Sequence, residues 1–159
     1  MNRRNWLGLA LAAPMLGTWR QALAQRDWSS LDDHHPIYLE GKAVSVKWQD
    51  PVVELELRLP EVLKLPIDLD SRTVPAQVAP TDGKKLLSRA ILPIRKDPKW
   101  RIELAPLRIM SAWNVPEISD GTTVGVIGYT FPEEKGEALL RAEVLFLNGK
   151  TYPMRSGPA

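Results

Sequence analysis

His34 and His35 are the only imidazoles in this 159-residue chain, and they stand in Asp32-Asp33-His34-His35-Pro36. Two carboxylates and two imidazoles in four consecutive residues form a donor set for loosely held Cu(II) or Zn(II). Adjacent side chains diverge in an extended segment, so a tight site at Asp32, Asp33, His34 and His35 needs further ligands from elsewhere. The competing reading is a solvated polar linker entering the first strand, and the ligand count favours it. A Ser–His triad would have to draw on one of the same two histidines, and no Gly-x-Ser-x-Gly elbow is present. The carboxylate pairs Glu54/Glu56 and Glu133/Glu134 fall on the wet face of a predicted strand and in a turn. Nothing there buries one acid to set it apart from its neighbour, as acid–base chemistry requires. Asp82-Gly83-Lys84-Lys85 lacks the spacing of a phosphate loop. With no cysteine, thiol catalysis, disulfide frameworks and zinc ribbons are all excluded. These residues point to a non-enzymatic protein that needs no cofactor.

Length allows one ordinary domain, and the 44% hydrophobic and 25% charged content is that of a globular chain. The sequence pI near 9.0 comes from the N-terminus. Residues 1–24 hold three of the 21 Lys and Arg (Arg3, Arg4, Arg20) and none of the 19 acids, leaving 18 basic against 19 acidic residues. Such a balance gives no electrostatic pull toward nucleic acid or an anionic membrane.

Those first residues read as an export signal. Arg3-Arg4 precede an apolar run from Leu9 to Leu16, and Ala22-Leu23-Ala24 supplies a cleavage site before Gln25. The run is far shorter than the roughly 20 residues of a membrane span. Twin arginines followed by Trp6-Leu7 resemble a Tat signal, and Arg20 before the cut suits that route better than Sec. Asn2 and Gly8 depart from the full Tat pattern, so both routes stay open. The expectation is a periplasmic protein, cleaved after Ala24, that meets the export machinery during biogenesis and is not inserted in a membrane afterwards.

The remaining chain is dominated by strand signals. Ile37–Gln49 and Val52–Leu59 are the first two, joined by Asp50-Pro51. In the second, Val53, Leu55, Leu57 and Leu59 share one face and Glu54, Glu56 and Arg58 the other. In the first, apolar parity changes from Ile37 and Leu39 to Val44, Val46 and Trp48, which places a bend or bulge at Gly41. Trp100, Ile102 and Leu104 alternate with Arg101 and Glu103 in a third strand, and Ala105-Pro106 opens a short helix, Leu107–Trp113. Thr122–Phe131, with a second parity change across Gly128, and Ala138–Leu147 are the fourth and fifth strands. Asn148-Gly149 signals a type I′ hairpin returning through Thr151-Tyr152, with a loose tail from Pro153 to Ala159. Between strands two and three lies a long Pro-rich insertion, residues 60–98, with one short helix predicted from Lys84 to Ile91 behind Thr81-Asp82-Gly83.

This order is that of a mainly β, five-stranded OB-like barrel, its short helix falling between strands three and four. One domain, residues 25–159, carries all of it. At Pro36–Pro51, Trp100–Pro106, Val124–Tyr129 and Asn148–Lys150 the chain also resembles an uncharacterised family of small exported bacterial proteins, a domain of unknown function. The resemblance implies an OB-like periplasmic barrel without an established activity. Two family features are missing. The paired histidines before a Trp-Ser or Phe-Ser segment are replaced by Gln25-Arg26-Asp27-Trp28-Ser29-Ser30, and Asn-Pro-His by Asp50-Pro51-Val52.

OB barrels bind across strands two and three, where this chain would show Glu54, Glu56, Arg58, Arg101 and Glu103, a mixed-charge face without stacking rings. Trp48 and Trp100 fall on the core parity. Trp28 and Trp113 either line a pocket or cover a barrel end, and covering is the ordinary use of large aromatics in small domains. The insertion carries spaced apolar residues, Leu65 and Leu69 among them, that a disordered linker would lack. It is expected to fold over one barrel end, either closing the core or leaving apolar surface for a partner. Trp28, Trp113, Leu65 and Leu69 are thus the candidate interaction residues. The functional expectation is a binding or interaction module for an unidentified protein or small molecule, with low-affinity copper or zinc handling as the alternative.

Sequencing of the exported protein is expected to start at Gln25. Arg3→Lys together with Arg4→Lys is expected to stop export; export that continues unimpaired would rule out the Tat route while leaving cleavage intact.

Overall fold

The computed structural model describes residues 28–159. The export signal, its cleavage site and Gln25 lie outside the described residues. Six strands form one sheet: β1 (Ile37–Lys47), β2 (Glu54–Arg58), β3 (Lys99–Glu103), β4 (Thr123–Tyr129), β5 (Leu139–Leu147) and β6 (Lys150–Pro153). Antiparallel pairing runs β3-β2-β1-β4-β5-β6, and a parallel pairing of β3 with β5 (Ile102 opposite Leu140) closes the first five into a mixed barrel. The sixth strand is added by the Asn148-Gly149 turn, both residues at positive φ as type I′ demands. Two short helices, α1 (Gly83–Arg89) and α2 (Leu107–Ala112), lie between β2 and β3 and between β3 and β4.

The barrel interior is filled by the alternating sets. Leu55, Leu57, Trp100, Ile102, Val124, Val126, Leu140 and Leu145 are at most 2% exposed and belong to one cluster. Closing so few strands forces sharp coiling, and two glycines permit it. A Cβ at Gly41 would collide with the Arg58 carbonyl of β2, and one at Gly128 with the Arg141 carbonyl of β5. Gly41 is therefore a point of close backbone approach. The bulge itself lies four residues on, where pairing slips between Val44 and Lys47 and Ser45 takes a φ of 51°. Trp48 keeps its core-side parity but follows the last residue of β1, Lys47, so it ends half-buried at the core margin and not inside it. The second slip falls at Gly128, where Glu143 of β5 is the extra residue.

A second apolar cluster sits on the outside of the barrel wall. Tyr38, Ile127, Val144 and Phe146 point away from the interior and are covered by Leu69, Leu87 and Ala90 of the insertion. The insertion thus packs on the wall formed by β1, β4 and β5 instead of capping a barrel end. Helix α1 begins where Asp82 accepts a hydrogen bond from the Lys85 N–H at 3.0 Å. At the far end of the insertion, the Glu134 carboxylate accepts from the Ile94 and Arg95 amides, and Arg95 reaches the Glu134 and Gly136 carbonyls. The tail after β6 is not loose. Gly157 and Ala76 carbonyls accept from Val78 and Ala159, and Ser156 bonds to Gln77.

Trp100→Ala is expected to cost about 3–5 kcal/mol, with Trp48→Ala costing roughly half as much because its ring is only half enclosed. Gly41→Val is expected to abolish folding through the Arg58 carbonyl. Denaturation midpoints check all three, and equal losses at Trp48 and Trp100 would invert this assignment of the core.

Candidate functional site

The β2–β3 face, where an OB barrel would receive its ligand, is occupied by its own charges. Arg101 donates from Nη2 to Glu54 Oε2 at 2.9 Å and reaches Glu137 at 3.4 Å, while Lys99 holds Glu56 at 3.0 Å. Burial opposes ionisation of Glu54, but Arg101 and Lys47 outweigh it and hold the carboxyl below its ordinary range. Glu103 is not on this face as a free charge: it is 2% exposed, with Arg141 beside it at 3.6 Å. Of the five charged residues expected there, Arg58 alone is exposed without an ion-pair partner among the described residues; the others are engaged with neighbouring charges.

The segment before β1 is strapped to the outer wall. Asp32 donates its backbone N–H to the Thr130 carbonyl. Its carboxylate accepts from the His34 N–H at 3.0 Å and lies 2.7 Å from His35 Nδ1. Burial works against the charge on Asp32, yet these two bonds hold its carboxyl below the usual range. The four candidate metal ligands therefore form one exposed turn in which Asp32 is spent on its neighbours and Asp33 lies 3.6 Å from His34. Among the described residues, no three His, Asp or Glu side chains converge where they could hold a metal ion.

Trp28 opens that strap. Its ring lies edge-on to Tyr129, centroids 6.4 Å apart, with the guanidinium carbons of Arg155 and Arg141 at 4.1 and 4.9 Å. Beneath it is Glu143, 2% exposed, accepting from Arg155 Nε at 2.8 Å. Tyr129 is pushed up to about 12 by burial and by the Glu143 charge. Trp28 thus covers the wall, not an end of the barrel, and it roofs an ion pair. Of the two insertion residues, Leu65 is 41% exposed, whereas Leu69, at 4%, is buried in the outer cluster and is not presented to a partner.

The structure assembles a different site, which no sequence motif announced. Where the insertion's cover ends, a cleft of about 1070 Å³ opens on the outer wall. Its floor is Gly125 and Phe146, beside Glu40. One wall is residues 68–75 of the insertion, and the opposite wall is the β5–β6 hairpin with Trp113 and Asn114. The floor is stiff. Tyr38 donates its hydroxyl to Glu40 at 2.5 Å, and burial followed by the Glu40 charge raises the Tyr38 phenol well above its usual range. Arg72 lies 4.8 Å above the Phe146 ring and is held by both Asp68 oxygens at 3.1 Å. Trp113 is fixed by its Nε1–H bond to the Ser156 carbonyl at 2.8 Å. By contrast, the side chains of Asn114, Asn148, Thr122 and Thr151 make no hydrogen bond among the described residues. Comparison of the chain with family models, curated proteins and solved structures finds no match.

Truncating Arg155 to Ala leaves Glu143 buried and unpaired, an expected loss on the order of 3 kcal/mol. Adding Glu143→Gln to that variant is expected to recover part of it. Chemical denaturation of the single and double variants is the check; an Arg155→Ala protein as stable as the parent would mean the pair contributes nothing.

Proposed function

We propose that this chain is an exported, periplasmic, non-enzymatic binding module built on an OB-like barrel, and that the outer cleft is its working face. One observation carries the reading: amides and hydroxyls without a side-chain partner among the described residues (Asn114, Asn148, Thr122, Thr151) line a roomy cleft in which Arg72 and Trp113 are held in place. Open polar groups on a rigid frame keep the ordering cost of binding low. The strand circuit β1-β2-β3-β5-β4 and the position of α2 support the OB-like assignment. The paired charges of β2 and β3 explain why the binding face would be displaced from its usual place in such barrels. Export and the periplasm rest on the N-terminal signal and on the resemblance to small exported proteins. No helix among the described residues is long and apolar enough to cross a membrane. A non-enzymatic role accords with the use of the acids: Glu54, Glu134 and Glu143 each hold an arginine or backbone amides.

A second reading, loose copper or zinc binding at His34 and His35, has one observation in its favour. Asp32 holds His35 by Nδ1 and leaves the rest of the ring exposed, the carboxylate–imidazole arrangement that orients metal-binding histidines. Copper titration of the mature protein separates the two; a stoichiometric, histidine-dependent affinity well below micromolar selects the metal reading.

The test of the module is a thermal-shift screen of the mature protein beside Thr151→Trp, which fills the cleft from a strand position of the hairpin where an aromatic residue is well tolerated. A ligand at one hundred times its Kd adds about 2.7 kcal/mol, so at least one compound is expected to raise Tm in the parent and not in the variant. A screen in which every hit acts equally on both proteins removes the cleft as the binding face.

A further inference from the structure

Resting on the cleft as the binding face, we infer that its ligand is a neutral polyhydroxylated chain, a glycan. The other ligand classes are each met by an obstacle in the structure. An anionic or phosphorylated ligand needs an excess of unspent guanidinium or ammonium groups, but the lining sets Glu40 and Asp68 against Arg72 and Lys150, and Arg72 is clamped by both oxygens of Asp68, which leaves Lys150 as its one unpaired cation among the described residues. A lipid or other apolar ligand needs a mostly apolar lining, yet the walls carry threonines, asparagines and charges around only a few rings. An extended peptide adding to the sheet would use the free edge of β6, which is four residues long and ends at Pro153, a residue without an N–H to donate.

What the cleft does offer matches a sugar. Hydroxyl groups in pairs are both donors and acceptors, and side-chain amides present both functions in one plane. Asn114 and Asn148 bring two such amides, exposed and unpartnered, from opposite loops of the wall. Both sit at positive φ, 54° and 52°, so the backbone itself turns there and fixes the base of each side chain. Pyranose rings also carry a flat C–H face that packs on an aromatic ring, and the partly buried Trp113 lines the cleft with its indole N–H already tied to Ser156. Thr122 and Thr151 add hydroxyls between them. At about 1070 Å³ the cleft exceeds what a single sugar ring would fill, which suits several units of a chain more than one small molecule.

The test is titration of the mature protein with cellohexaose, maltohexaose and chitohexaose, read by calorimetry and by amide chemical shifts. Asn114→Gly with Asn148→Gly removes both amides while keeping a residue that accepts positive φ, and Thr151→Val removes a hydroxyl at a strand position where valine is well tolerated. At least one hexasaccharide is expected to bind the parent, shifting the amides of residues 113–114 and 148–151. The double variant is expected to bind at least tenfold more weakly and Thr151→Val several-fold more weakly, each with a near-parental Tm. If none of the three sugars binds, or if binding is unchanged in both variants, the inference is overturned. Should the sugars fail while another compound is blocked by Thr151→Trp in the thermal screen, the glycan assignment falls and the binding module stands. Should both fail, both fall together.

Discussion

Everything in this fold depends on two places where one strand is pressed onto the carbonyl of the next. A barrel of five strands has a small circumference, so its strands must coil steeply to meet again at the β3–β5 seam. At Gly41 and Gly128 the neighbouring carbonyls of Arg58 and Arg141 occupy the space a Cβ would need. With that approach allowed, the inner residues of β1 and β4 stay aimed at one core along their whole length. The bulges at Ser45 and Glu143 absorb the remaining mismatch in register.

Coiling also dictates what happens outside. The wall of β1, β4 and β5 turns Tyr38, Ile127, Val144 and Phe146 outward, and four large apolar side chains cannot be left in water cheaply. The insertion covers three of them fully, and its edge over the fourth, Phe146, becomes the border of the cleft. Cleft and second core are thus one construction. The same wall higher up carries the Glu143–Arg155 pair under Trp28, so a polar solution and an apolar one sit side by side on a single sheet.

The inner faces were legible because period-two alternation needs no tertiary knowledge: Leu55, Leu57, Trp100 and Ile102 are buried as their parity requires. Trp48 faces the core as its parity requires but lies past the last residue of β1, Lys47, and alternation does not tell where a strand ends and enclosure stops. The outer core left a trace in the unbroken runs Ile37-Tyr38-Leu39 and Val126-Ile127, since a strand buried on both sides loses its alternation. Glu143 left one too, as a lone acid in the apolar run from Ala142 to Leu147. The cleft left none. Its groups come from residues 40, 68–75, 113–114, 122–125 and 146–152, and only the packing of the insertion brings them together.

The pairing of residues 76–79 with 156–159 has a consequence for the order in which the molecule can be made. The segment behind the cleft's insertion wall is synthesised about eighty residues before the strand of chain that pins it. Until that later stretch emerges, Val78 and its neighbours have no backbone partner, and the outward face of Phe146 does not yet exist to receive Arg72. The cleft therefore needs contacts of high sequence separation, the kind whose loop closure is costly before they form. A ribosome stalled before β5 would hold a chain with helix α1 and β1–β4 available but no floor for the cleft, which exists only when the polypeptide has looped back on its own middle.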